Sequence, residues 1–248
     1  LGTDDPEQVQ AAVADWDKFN AVAEKANGKG YKMLSGYDDA YRTFSNNVAA
    51  PWVDGKTVKV DENIMKWVDQ TKTFTDKGYN NKTSLWDDAW AKDLGPEGKV
   101  FGFFYSTWGI NFTLLGNSLA DPDGEKEVGN GIYGDYAVCQ GPEPYYWGGT
   151  WITAATGTDN PTLVADIMRT MTTNVDVMKE IVTADNDFVN NKPAMEEMAK
   201  DESYGDAVLG GQNPLAMFCA GADKIDLSNM SIYDQGCNEE FQNAMKNY

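Results

Sequence analysis

Apolar residues recur at helical spacing from the start of the chain. The stretch Asp5-Pro6-Glu7-Gln8 combines a capping carboxylate, a proline at the first helical position and a glutamine at the capping-box position. Gly28 is a residue that can end such a helix. The sequence therefore predicts one long helix between these points. The apolar residues on its buried face are Val9, Ala12, Val13, Trp16, Phe19 and Val22.

The same spacing predicts three more helices before residue 95. Asp38 is expected to cap a helix that ends before Pro51, and Asp61 a helix that stops at Gly78. Ser84 is expected to cap a short third helix. Since helical spacing of large apolar residues indicates packing, four indole side chains are expected in or beside the core. They are Trp16, Trp67, Trp86 and Trp90.

Four short stretches have the composition of strands. Residues 31–34 and 99–105 are rich in aromatic and aliphatic residues, and 99–105 is the strongest strand candidate in the chain. Residues 132–138 and 150–156 are also predicted to be strands. Helices and short strands thus alternate up to residue 156, which favours a layered α/β body.

Beyond Asn160-Pro161 the pattern is helical. A stripe of aliphatic and methionine residues follows this proline at helical spacing. Further helices are predicted over 175–183, 193–200 and 214–221. Asn238 is expected to cap a last helix that buries Phe241, Ala244 and Met245.

Charge and composition narrow the function. The 248 residues include 39 acidic and 20 basic ones, for a net charge of -19, so a nucleic-acid partner is not expected. The chain has no histidine, which excludes histidine-based triads and the commonest zinc ligand. We expect no cofactor and no metal. The three cysteines allow at most one disulfide, and whether Cys219 pairs with Cys237 is open.

Two motifs are better interpreted as turns. Residues 129–134 fit G-x-G-x-x-G, but they follow a polar loop and lead into a predicted strand, whereas a dinucleotide site opens a helix. The acidic stretch 121–127 lacks the glycine and glutamate that a calcium loop needs at fixed positions. We predict solvated acidic turns there and at Asp185 and Asp187.

Aromatic residues outside the helical pattern suggest a ligand. Trp108 and Asn111 follow the strongest predicted strand, where ligands bind in open α/β sheets. Residues 145–151 and 233–235 combine aromatic rings with glycine or polar neighbours. A ring offers a flat apolar plate for the C–H face of a pyranose, and polar groups beside it can bind hydroxyls. The sequence therefore predicts a neutral sugar ligand.

Two other function classes are compatible with these features. A glycoside hydrolase would use a pair of carboxylates in an aromatic cleft, and adjacent acids such as Asp87 and Asp88 could supply one. A surface adhesion module would use the same rings against a protein partner. The hydrolase would release reducing ends, and the adhesion module would respond to no sugar.

Five stretches, read in order, carry a resemblance to a known family. They are PEQVQAAVADWDKFNAVAEKA, KMLSGYDDAYRTF, GKVFGFFYSTWGIN, YYWGGTWITAATGTDNPTLVADIMRTM and SIYDQGCNEEFQNAMKN. In this order they resemble extracellular solute-binding proteins of carbohydrate ABC importers, of the family 1, type II periplasmic-binding-like kind. The resemblance covers essentially the whole chain.

The resemblance implies a helix-rich α/β fold with a small mixed sheet. Residues 1–152 and 212–248 would build the second, C-terminal lobe of a two-lobed protein, and 153–211 would be a helical segment that packs on the first lobe. Most of that first lobe and the leader are expected to lie outside this chain. Because half of the enclosing wall would be missing, the chain alone is expected to bind sugar more weakly than the complete protein.

The resemblance also implies a function without catalysis. An oligosaccharide would bind in an aromatic-lined cleft between lobes and be delivered to the membrane permease subunits of the importer. The protein would be extracellular, either periplasmic or a cell-surface lipoprotein whose anchor is not in this chain. The ligand-binding residues implied by position are Trp108, Asn111, Trp147, Gly148, Gly149, Trp151, Tyr233, Asp234, Gln235, Tyr37 and Asp38.

Overall fold

The computed structural model describes residues 1–248, which divide into two units with separate apolar cores. The first unit comprises residues 1–105, 139–146 and 221–248, and the second comprises 106–138 and 147–220. None of the helices combines the length and the apolar character that a bilayer span requires.

Six helices belong wholly to the first unit. The predicted cap at Asp5 and the predicted end at Gly28 are both confirmed, but the expected single helix is two helices. The chain turns at residues 13–15, because Val13 enters the core and the Asp15 carboxylate accepts a hydrogen bond from the Lys18 N–H at 2.8 Å. The helices are α1 Pro6–Ala12, α2 Trp16–Gly28, α3 Tyr41–Asn46, α4 Glu62–Asp76, α5 Asp88–Asp93 and α11 Asp234–Lys246.

Four short strands form two separate pairs instead of one mixed sheet. β1 (Leu34–Gly36) pairs in parallel with β4 (Asn80–Thr83), and β2 (Val53–Asp54) pairs antiparallel with β3 (Thr57–Val58). β1 overlaps the predicted strand 31–34 only at its end. Parallel pairing across α4 gives β1 and β4 the same direction, so their carboxyl ends share one edge.

The predicted strand 99–105 is wrong beyond a single residue. Val100 bridges Lys32 in parallel, and the Phe101 N–H donates to the Lys32 carbonyl at 2.8 Å. One further bond joins the Gly102 N–H to the Met33 carbonyl at 3.3 Å, and the Tyr105 carbonyl accepts a hydrogen bond from the Tyr145 hydroxyl at 2.6 Å. At Tyr105 a side chain thus takes the place of a neighbouring strand.

The predicted strands 132–138 and 150–156 are also absent. Gln212 satisfies both backbone groups of Val138: its amide donates to the carbonyl at 2.8 Å and its oxygen accepts from the N–H at 2.8 Å. Residues 150–156 are solvent-exposed and lie in no strand. A strand-like composition therefore did not ensure that a neighbouring strand was present to pair with these segments.

Two of the predicted helix caps, Asp38 and Ser84, have other roles. The Asp38 carboxylate accepts hydrogen bonds from the Ser84 hydroxyl at 2.9 Å and the Leu85 N–H at 3.0 Å, so both predicted caps hold two loops together. Neither residue caps a helix, since α3 begins at Tyr41 and α5 at Asp88. The cap predicted at Asp61 is confirmed.

Asn238 lies inside α11 and not at its start. Its side-chain oxygen accepts from the Tyr41 hydroxyl at 2.6 Å and from the Trp52 indole N–H at 2.9 Å. This buried use of an amide explains why a good capping residue stands in mid-helix. Phe241 and Met245 pack partly buried against the core as expected, but Ala244 is exposed.

Aromatic side chains dominate the first core. Trp67 and Trp90 are buried, and Trp16 stacks on Phe44 with ring centroids 4.4 Å apart. These positions confirm three of the four indoles expected in or beside the core. Trp86 is the exception, because it precedes α5 and is 48% exposed.

The second unit is built mainly from helices, near their predicted positions. Its core consists of Met178, Val182, Ala194, Met195, Met198 and Leu215. α7 buries no residue, so the predicted apolar stripe after Pro161 stays on the surface. Cys219 packs beside this core, whereas Cys139 and Cys237 pack beside the first. The helices are α6 Leu115–Ser118, α7 Pro161–Thr173, α8 Val175–Asp185, α9 Lys192–Met198 and α10 Leu215–Ala222, whose last two residues belong to the first unit.

The glycine motif at 129–134 is a set of turns, as predicted. Gly131 has a positive φ of 71°, and a Cβ there would collide with the Ser118 carbonyl. The acidic residues of 121–127 are exposed, as expected for a solvated turn.

Candidate functional site

Trp108 and Trp147 lie side by side in the second unit. Their ring centroids are 6.1 Å apart at an interplanar angle of 74°, and the Trp108 indole N–H donates to the Trp147 carbonyl at 3.1 Å. Phe112 extends the cluster, with its ring 5.8 Å from that of Trp108. Both indoles are half-buried and Phe112 is exposed, so the rings keep solvent-facing surface.

A π-helical turn over Ile110–Leu114 follows Trp108 directly. Such turns widen the backbone and are frequent at functional sites. Here the turn carries Asn111, whose amide donates to the Asp206 carboxylate at 3.0 Å and to the Asn186 carbonyl at 3.3 Å. Two acceptors thus hold the side chain of Asn111 in place.

Two carboxylates accept hydrogen bonds from Thr107 and Asn111, which lie close to Trp108 in sequence, and together with a phenol they were missed as site residues. Asp187 accepts a hydrogen bond from the Thr107 hydroxyl, and burial raises the pKa of its carboxyl. The prediction of a solvated turn at Asp187 is wrong, since this residue is half-buried. Burial, followed by the charges of Asp206 and Asp187, raises the pKa of Tyr204 to about 12. These residues lie far from Trp108 in sequence, and no local pattern joins them.

The glycine pair after Trp147 has unusual backbone angles. Gly148 has φ 63° and Gly149 φ 154°, and a Cβ at either position would meet no atom within 4 Å. The glycines therefore allow backbone φ angles that other residues rarely adopt. They are not required by a close contact with another part of the chain. Trp151, beyond them, is 78% exposed. Tyr145, before them, belongs to the first core and not to this open surface.

The remaining predicted site residues lie in the first unit. Tyr233 is 51% exposed and immediately precedes α11. Asp234 accepts hydrogen bonds from both the N–H and the hydroxyl of Ser231, and Gln235 donates to Glu239 at 3.1 Å. Tyr37 and Asp38 follow β1 and are half-buried. The ligand-binding role of all eleven residues stays a prediction.

Asp39 is a buried acid that the sequence did not single out. Its carboxylate accepts from the Gly36 N–H at 2.8 Å, the Ser35 N–H at 3.1 Å and the Trp90 indole N–H at 2.9 Å. Burial raises the pKa of Asp39 from 3.8 to about 7, although these hydrogen bonds oppose the rise. Asp39 therefore fixes the loop that carries Tyr37 and Asp38.

Asp39 should make the first unit less stable as pH rises. Because its folded pKa lies above the unfolded value, the folded state binds the extra proton, and stability falls from about pH 4 to about pH 7. Urea unfolding of the wild type and Asp39→Asn across this range measures the effect. The difference in unfolding free energy between the two proteins should change with pH in this window and level off above it. A difference that is independent of pH would contradict the assignment.

The fold is that of an extracellular solute-binding protein. A crystal structure titled "Extracellular solute-binding protein family 1" superimposes with a TM-score of 0.76 at 18% sequence identity, over 98% of this chain and 60% of that chain. The chain thus spans about three fifths of the length of this relative. The similarity confirms the predicted helix-rich α/β fold of the type II periplasmic-binding-like kind.

Residues 4–208 match the model of the family described as "Bacterial extracellular solute-binding protein", and the chain belongs to this family. No curated protein matches the chain in sequence. The family supports the predicted solute-binding role at the level of the class.

Proposed function

We propose that this chain is the ligand-capturing part of a carbohydrate-binding protein that serves an ABC importer. Its family supports capture of a solute outside the cytoplasm, and the permease subunits of the importer are the proposed partner. An extracellular site, periplasmic or lipid-anchored at the cell surface, is part of the same proposal.

The observation that carries the sugar assignment is the arrangement around Trp108. The half-buried indole of Trp108 packs against a second indole at an interplanar angle of 74°, and three residues further along the chain the amide of Asn111 is held by a carboxylate. Ring faces suit the apolar C–H face of a pyranose, and amide and carboxylate groups suit its hydroxyls. Since the side chain of Asn111 is already fixed by Asp206, a ligand would meet an ordered partner.

Charge argues for a neutral ligand. The chain carries a net charge of -19, and Asp187 and Asp206 accept hydrogen bonds from Thr107 and Asn111, which lie close to Trp108 in sequence. An anionic ligand would be repelled at this position. A cationic ligand could also bind to carboxylates and aromatic rings, so the test includes cationic ligands.

A thermal-shift screen of the chain tests the proposal. The panel contains neutral mono- and oligosaccharides, a polyamine, a quaternary amine and an anionic sugar. A neutral sugar at a hundred times its dissociation constant should add about 2.7 kcal/mol to the unfolding free energy. Stabilisation by only the cations or the anionic sugar would overturn the sugar assignment, as would the absence of any response. Release of reducing ends from an oligosaccharide would overturn the binding role in favour of a hydrolase.

A further inference from the structure

Three loops leave one edge of the small parallel assembly in the first unit. β1 and β4 are parallel, with Gly36 opposite Thr83, and Val100 bridges Lys32 in the same direction. The chain therefore continues from this edge into Tyr37, into the segment after Thr83, and towards Tyr105. Ligands of open α/β sheets bind outside the carboxyl ends of parallel strands.

Trp86, in the second of these loops, combines exposure with backbone strain. It is 48% exposed, and its φ of 73° lies in the left-handed region that side chains other than glycine rarely adopt. A bulky residue in this conformation costs free energy, which the surrounding contacts must offset. Such outliers concentrate at ligand sites.

The indole of Trp86 rests on other rings. Its centroid lies 5.7 Å from that of Trp90 and 5.9 Å from that of Tyr105. Trp90 is buried and is held by the hydrogen bond from its indole N–H to Asp39 at 2.9 Å. The ring therefore contacts two other rings at tilted angles and remains 48% exposed.

Hydroxyl and carboxylate groups lie beside this ring. The Ser84 side chain forms hydrogen bonds with both Tyr37 and Asp38, and the Leu85 N–H donates to Asp38 at 3.0 Å. Asp87 stands at the capping position of α5, yet its exposed side chain makes no capping hydrogen bond. The negative charge of Asp87 adds to the effect of burial in raising the pKa of Asp38. The Asp87 carboxylate is thus exposed next to Trp86 in the chain, and the Asp38 carboxylate is fixed on the other neighbour of Trp86, Leu85.

We propose that Trp86 is a stacking platform for a pyranose ring, with Tyr37, Asp38 and Asp87 as the hydroxyl-binding groups of this subsite. The inference rests on the proposed sugar-binding function and adds a site that the helical pattern had assigned to the core. Trp86 combines exposure with backbone strain at the carboxyl ends of parallel strands. A ring that served only packing would be buried, so contact with a ligand accounts better for its exposure.

Titration of a panel sugar into Trp86 variants, followed by calorimetry, tests the subsite. Trp86→Ala should weaken binding about tenfold, while Trp86→Phe, which keeps a plate, should lose less. Tyr31→Ala is the matched control, because Tyr31 is 49% exposed in the same unit but lies outside these loops, and it should bind like the wild type.

Thermal unfolding without ligand separates a binding role from a structural one. Trp86→Gly relieves the left-handed strain, so its melting temperature should exceed that of Trp86→Ala, while both variants should bind sugar about tenfold more weakly than the wild type. Wild-type affinity in Trp86→Ala would overturn the subsite and leave the proposed function intact. A wild-type chain that binds no sugar at all would overturn the proposed function itself.

Discussion

Trp108→Ala is expected to weaken sugar binding by about thirtyfold, equivalent to about 2 kcal/mol, as for a central aromatic contact in a binding site. The substitution removes the proposed plate and the hydrogen bond from its indole N–H to the Trp147 carbonyl. Trp147 then loses the ring that packs against it, so its orientation should loosen as well. Both effects lower the affinity, and calorimetric titration of a sugar from the screen measures their sum.

Two variants make this result interpretable. Trp108→Phe keeps a ring but loses the N–H donor, and it should bind with intermediate affinity. Phe101→Ala removes an exposed aromatic residue of the first unit and should leave the affinity unchanged. Near-UV circular dichroism of each unliganded variant checks that the fold is retained. Wild-type affinity in a folded Trp108→Ala would remove Trp108 from the binding site.

Trp67→Ala is expected to destabilise the first unit by about 3–5 kcal/mol, the usual range for deleting a buried tryptophan. Trp67 is fully buried in α4, with its ring 4.6 Å from that of Tyr41 and 6.1 Å from that of Phe241. The cavity would separate α3, α4 and α11, which meet at this residue. Urea unfolding followed by far-UV circular dichroism should show the loss as a lower midpoint.

Trp67→Phe should lose much less stability than Trp67→Ala. The Trp67 indole N–H is buried without a hydrogen-bond partner, an arrangement that costs about 1–3 kcal/mol. Phenylalanine removes this donor and keeps an aromatic ring, so the gain offsets part of the lost packing. Met65→Ala, at an exposed position of the same helix, should be nearly neutral. A loss for Trp67→Phe as large as that for Trp67→Ala would show that an aromatic ring at this position contributes no packing energy.

Helical segments were well predicted from sequence where the apolar period and the cap agree. Asp61 caps α4, and Ile64, Trp67 and Phe74 point into the core as the spacing requires. The period failed at residues 13–15, where Val13 and Asp15 interrupt a helix that would otherwise run on. A local carboxylate cap allows the break there. It replaces the backbone hydrogen bonds that a continuous helix would have given to the same N–H groups, so the interruption leaves no donor unpaired.

Strands were poorly predicted, because a strand needs a partner that the sequence does not specify. Residues 99–105 have the composition of a strand, but a tyrosine hydroxyl occupies the carbonyl at Tyr105. The side chain of Gln212 takes the same role at Val138. Composition indicates that a backbone can be extended, whereas only the tertiary structure decides what completes its hydrogen bonds.

The sequence by itself determined the class of this protein: acidic, without histidine, rich in aromatic residues outside the helical period, and similar to solute-binding proteins along its length. Those properties follow from composition and order, which need no coordinates. The tertiary structure decided which side chains stand together. It moved Trp86 out of the core onto a strained loop whose Leu85 is bound by Asp38, and it placed Asp206 against Asn111 and Asp187 against Thr107. Such juxtapositions join residues that are tens of positions apart, and they depend on how helices and strands pack and not on any local pattern.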